Sequence, residues 1–118
     1  MEELVYRLIQ SKGDWRVGNE VAKEMIRYGS KIVPKLIQIL NNHELHIETR
    51  KAAAYALGGI GDDRAIEPLK KIATGFWTNF EMREKERLAQ GIAHNEHLGL
   101  AMEVKDALAK LGIKIVFD

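Results

Sequence analysis

No cysteine occurs among the 118 residues, and that absence removes disulfides, thiolate zinc sites and cysteine nucleophiles together. A cysteine-free chain fits a reducing compartment, so the cytoplasm is the expected location. Serine is nearly as scarce. Ser11 and Ser30 are the only two, both near expected helix ends, and neither lies in the strand-to-helix elbow of a serine nucleophile. No stretch approaches the roughly 18 apolar residues of a membrane span, and the opening MEELVYRLIQ lacks both a basic start and an unbroken apolar run. Neither a membrane partner nor an export signal is expected. Charge of one sign is missing too: 18 Lys and Arg face 17 Asp and Glu, with nine against seven up to Ile60 and nine against ten after it. Neither part is a polyanion-seeking arm. With 46 % hydrophobic residues, the chain is long enough for one core and too short for two ordinary domains.

What is present is helical periodicity. Leu4, Val5, Leu8 and Ile9 recur at helical spacing, as do Leu36, Ile37 and Leu40, and then Ala101, Val104, Leu108 and Leu111. The pattern also repeats at longer range. Leu4 stands 13 residues before Val17, Leu36 13 before Thr49, and Leu69 13 before Met82, so the same element returns every 32 to 33 residues. A period in that range means stacked helical hairpins. The expected helices are 2–11, 15–28, 31–42, 46–60, 63–74, 80–93 and 97–111. They group into a half repeat (2–11), two repeats (15–42 and 46–74), an atypical terminal repeat (80–111) and a tail (112–118).

The stretch ALGGIGDDRAIEPL, 56–69, carries the punctuation of one hairpin. Gly61 suits the left-handed residue that ends a first helix, and Asp62 or Asp63 suits the cap of the next. Pro68 falls early enough in the second helix for its missing N–H to cost little. Gly58 and Gly59 each cost a helix about 1 kcal/mol against alanine, so close approach of the paired helix is the expected compensation. Ala52, Ala53, Ala54 and Ala56 imply the same tight packing.

ETRKAAAYALGGIGDDRAIEPLKKI, 48–72, resembles the HEAT-like repeat of the type also found in phycobilisome lyase proteins. WRVGNEVAKEMIRYGSKIVPKLIQIL, 15–40, is similar but looser, with Gly18 where Arg50 stands in the next unit. The third unit departs further, with Glu86 and Arg87 in place of Ala53 and Ala54 and His94 in the glycine slot. The resemblance implies an all-α fold, a short right-handed α-solenoid of about three hairpins, working as a non-catalytic scaffold.

Candidate chemistry is sparse. All four histidines fall in HELH, 43–46, and HNEH, 94–97, each with an internal glutamate, which are residue types that zinc and iron sites use. The repeat places the two pairs at opposite ends of the helices, about 20 Å apart for 14 helical residues, so no single ion joins them. Caps and solvated turns are the expected roles. Deoxyhypusine hydroxylase, also built of HEAT-like repeats, carries His-Glu pairs ahead of a Leu-Gly ending; the matching slots before Leu57-Gly58 hold Lys51 and Ala52. Neither a metal nor another cofactor is therefore expected, and no enzyme activity.

Surface remains. By the resemblance, second helices line the concave face, and their polar positions include Tyr6, Arg7, Lys31 and Lys35 in the first half and Gln38, Arg64, Lys70 and Lys71 in the second. Six of these eight are basic. An acidic peptide or protein is the first-ranked partner and a nucleic-acid backbone the second, although Glu2, Glu3, Glu67, Glu103 and Asp106 dilute the charge on the same helices. HEAT-like DNA glycosylases hold duplex DNA with such a fold, but no matching active-site motif stands here. Trp15, Phe76, Trp77 and Phe80 fall at connections between repeats, where aromatics seal loops or anchor partners. A homodimer is expected if Leu4, Val5, Leu8 and Ile9, or the tail IKIVFD, stay uncovered.

Overall fold

A computed structural model of the chain describes residues 2–11, 14–78 and 96–113. Its α-helices are α1 (Glu2–Gln10), α2 (Trp15–Tyr28), α3 (Val33–Asn41), α4 (Ile47–Ile60), α5 (Ile66–Thr78) and α6 (Glu96–Lys110), with short 3-10 turns at Gly29–Ile32 and Asp63–Ala65. Among the described residues there is no strand. The helices stack as a short all-α solenoid, 42 × 30 × 19 Å in extent.

The helix boundaries follow from the punctuation. Asp14 accepts from the Arg16 amide at 3.0 Å to start α2, and His46 accepts from the Glu48 amide through Nδ1 at 3.4 Å to start α4. Each relieves an orphan N–H at a helix N-terminus. Gly29 and Gly61 end α2 and α4 at positive φ, 65° and 77°, a region that costs other residues most. Asp62 then accepts from the Arg64 amide at 2.9 Å. The expected second helices begin two or three residues later than predicted because the 3-10 turns come first, while α5 runs on to Thr78, past the expected end at 74.

The core is formed by one face of each amphipathic helix: Leu4 and Leu8 of α1, Val21 and Met25 of α2, Leu36 and Leu40 of α3, Leu69 of α5, and Val104 and Leu108 of α6 are all buried. Leu4 and Leu8 are thus covered by the stack itself, and Ile9 stays partly exposed. Helix α4 differs from its neighbours because it is flanked by α2, α3 and α6 at once. Its buried set is correspondingly broad and small: Ala52, Ala53, Ala54, Ala56 and Gly58 around Leu57. Buried Arg50 donates through Nε to the Leu40 carbonyl at 2.9 Å, satisfying the C-terminal end of α3.

The paired glycines do answer to close helix approach, as expected, but the helices that approach are not the paired one. A Cβ at Gly58 would lie 2.8 Å from Ala107 Cα of α6, and one at Gly59 would lie 2.5 Å from Ile26 Cδ1 of α2. The close approaches are to helices of the flanking units and not to α5, the other arm of the same hairpin, because first helices stack side by side along the solenoid.

That stacking also defines the role of α6. As α4 packs against α2 and α3, so α6 packs against α4 and α5, the neighbours of a first helix. Gly112 ends it at φ 82°, as Gly61 ends α4. Ala107-Leu108 precede Gly112 by the same interval as Ala56-Leu57 precede Gly61. The expected helix 80–93, with Glu86, Arg87 and His94, lies outside the described residues, as do Phe80, Ile115, Val116 and Phe117. Ile113 is half-buried against the core.

Candidate interaction surfaces

The stack presents two surfaces. On the second helices, buried Leu4, Leu36 and Leu69 occupy equivalent positions, and two residues after each stand Tyr6, Gln38 and Lys71. All three are exposed, Tyr6 to 65 %, and hold the same register position on their helices. Lys35 on α3 is exposed and Lys70 on α5 is half-buried. Among the described residues, Lys31, Lys35, Lys70 and Lys71 form no ion pair. Exposed Glu2, Glu3 and Glu67 share these helices, so the face carries both signs.

The two arginines are engaged elsewhere. Arg7 Nη1 meets Glu24 Oε2 of α2 at 3.2 Å, with both side chains well exposed, an arrangement that solvent weakens. Arg64 bonds Asp62 at 3.0 Å and also donates through Nη2 to the Ser30 carbonyl at 2.8 Å. It thereby ties one inter-helix turn to the preceding turn. Hydrogen bonds from the Arg64 side chain and amide hold the Asp62 carboxyl well below the usual carboxylate range.

The second surface is a groove of about 790 Å³ across the first helices. Its floor is α4, where Glu48, Lys51, Ala52 and Tyr55 form one stripe at helical spacing. One wall is the start of α2, with Trp15, Gly18 and Asn19; the other is α6, with Glu103, Asp106 and Lys110. The hollow exists because small residues meet where the floor joins the first wall: a Cβ on buried Gly18 would touch Ala52 Cβ at 3.6 Å. Trp15 is 61 % exposed, with the Arg16 guanidinium 5.7 Å from its ring centre.

Charges within the groove are unevenly matched. Lys51 pairs with Glu48 at 3.4 Å, and Lys110 Nζ sits 4.6 Å from the Tyr55 ring centre. Glu103 and Asp106 have no hydrogen bond or ion pair among the described residues. Burial, and secondarily the neighbouring Asp106 carboxylate, push the Glu103 carboxyl up.

Sequence reasoning treated Trp15 as an inter-repeat aromatic and Glu103 and Asp106 as diluting charge; it did not assemble the groove. The readable signal was the recurrence of Ala-Leu four residues before a terminal glycine, which assigns 97–111 the same role as 46–60. Neither His43, which is exposed, nor His46, which caps α4, lines the groove; His94 and the His97 side chain lie outside the described structure. Among the described residues no three His, Asp or Glu side chains converge as metal ligands, and no described helix is long and apolar enough to cross a membrane.

Comparison with curated proteins and with solved structures yields no match. The family profile described as HEAT repeats matches residues 1–76, which takes in α1 to α4 and most of α5. With stacked hairpins, glycine-ended first helices and this match over more than half its length, the chain belongs to the HEAT repeat family.

Proposed function

We propose that this chain is a non-catalytic protein-interaction scaffold that binds an acidic peptide or protein segment on its second-helix face. The observation that carries this reading is the set of equivalent exposed positions Tyr6, Gln38 and Lys71 on the second helices, with Lys35 and Lys70 on the same helices and Lys31 in the turn before α3, these lysines having no ion pair among the described residues. A tyrosine supplies contact area at low entropic cost, and unpaired lysines attract carboxylates at long range. Because the helices are already ordered by their own packing, association loses little conformational entropy on the scaffold's side. Arg7 and Arg64 contribute less, since each already has a partner. The cytoplasm is the proposed location, consistent with a cysteine-free chain.

The test is affinity capture from native lysate, with and without nuclease, using the full chain and its Lys35→Glu, Lys71→Glu variant. A nuclease-resistant acidic protein retained by the parent and lost by the folded variant is the expected result. Equal retention by both removes the second-helix face from the proposal, and loss of every partner after nuclease transfers the face to nucleic acid, whose affinity must then fall steeply with salt.

A further inference from the structure

The first-helix groove lies on different helices from the second-helix face and has different chemistry. Crossing from α2 over α4 to α6 spans two interhelical distances, about 16–20 Å. An extended peptide advances about 3.3 Å per residue, so the hollow accommodates about five residues lying across the three helices. The occupant's chemistry follows from the two walls. Trp15 offers a broad exposed ring on the α2 side. On α6, Glu103 and Asp106 stand three residues apart on one helix face, with no hydrogen bond or ion pair among the described residues. Lys51 and Lys110 attract Glu103 through space, but Lys51 bonds Glu48 and Lys110 lies over Tyr55, so neither forms an ion pair with these carboxylates.

We propose that this groove is a second docking site, for an extended segment of another protein that places an apolar side chain against Trp15 and an arginine or lysine against Glu103 and Asp106. Arginine fits best, since its planar fork bonds two carboxylate oxygens at once. A cationic side chain there also relieves the mutual repulsion of the two carboxylates. The chain's net charge of +1 gives no general attraction for cations, so the preference is local to the groove.

The 13.4 kDa chain suits amide-resolved NMR titration. The probes are a blocked pentapeptide of alternating leucine and arginine, and the same peptide with glutamate for arginine. The arginine peptide is expected to shift the amides of Gly18, Asn19 and Ala52, and to bind at least tenfold more tightly than the glutamate peptide. The double variant Glu103→Gln, Asp106→Asn is expected to lose that tenfold preference with its spectrum otherwise folded, whereas Lys35→Glu leaves it intact. Trp15→Ala is an independent second variant, expected to weaken the arginine peptide several-fold without touching either carboxylate. The proposal is overturned if both peptides bind alike, if neither binds at millimolar concentration, or if the arginine peptide's shifts fall on α3 and α5. The two faces are read separately: shifts of α3 or α5 amides with the glutamate peptide report the second-helix face, and the groove preference is read only from the amides of Gly18, Asn19 and Ala52.

Discussion

On its α2 side, helix α4 meets the end of a flexible side chain, Ile26; on its α6 side it meets backbone, Ala107 Cα. The two contacts begin at adjacent glycines, yet they set helix spacing by different means. Ile26 can change rotamer and give way, so the α2–α4 distance is held by a yielding group. The α4–α6 distance is held by atoms that cannot move without the whole helix moving. A small residue in a helix therefore has a meaning that depends on what faces it, and only Gly58 is sterically obligatory.

Substitutions that sharpen this contrast rank as follows. Leu57→Ala strikes the shared centre of both contacts, where the side chain is fully buried, and is expected to cost about 2–5 kcal/mol in urea unfolding. Gly58→Ala comes next, at about 1–3 kcal/mol, reduced by the gain in helix propensity; α6 is expected to show the faster amide hydrogen exchange. Adding Ala107→Gly should rescue it only in part, because the obstacle at 2.8 Å is the Ala107 Cα itself. Gly59→Ala is expected to fall within about 1 kcal/mol of the parent, since the propensity gain offsets the shift of Ile26. Equal losses at 58 and 59 would abolish the distinction.

Two carboxylates extend the comparison to pH, with opposite signs. Glu103 is raised by burial and by Asp106, so its protonated form favours the folded state. Its contribution is complete below the ordinary glutamate value and lost as pH rises through the folded value. Glu103→Gln should therefore gain on the parent in thermal midpoint between acid and neutral pH. Asp62 is depressed by its bonds from Arg64, so its contribution is present above the ordinary aspartate value and lost as pH falls through the folded one. Asp62→Asn should flatten the acid limb of the stability profile, the smallest effect of the set because the pair is solvent-accessible on the Arg64 side.

Much of the fold was legible because it is written in local chemistry. Gly61 and Asp62 announce the end of one helix and the cap of the next within two residues, and the interval between Leu4, Leu36 and Leu69 states the repeat. The groove was not legible by the same route. Its walls come from α2 and α6, whose groove residues Trp15 and Glu103 are far apart in the chain, and α6 stands 51 residues after α4 when measured from Gly61 to Gly112. A search at 32 to 33 residues passes over that interval. Likewise, Arg7 and Arg64 read as free cations until the fold supplies Glu24 and Ser30.

By itself the sequence determined that the chain is helical, where most helices cap and end, and which faces are apolar, since these depend on backbone preferences and on spacing along one helix. Tertiary structure decided which helix stands beside which. It made Gly58 obligatory and Gly59 tolerant, engaged two arginines, and gathered Trp15, Glu103 and Asp106 around one groove. The physical reason is that contacts between elements depend on how whole faces pack in space, and the same apolar stripe can be buried by more than one neighbour until the complete stack selects among them.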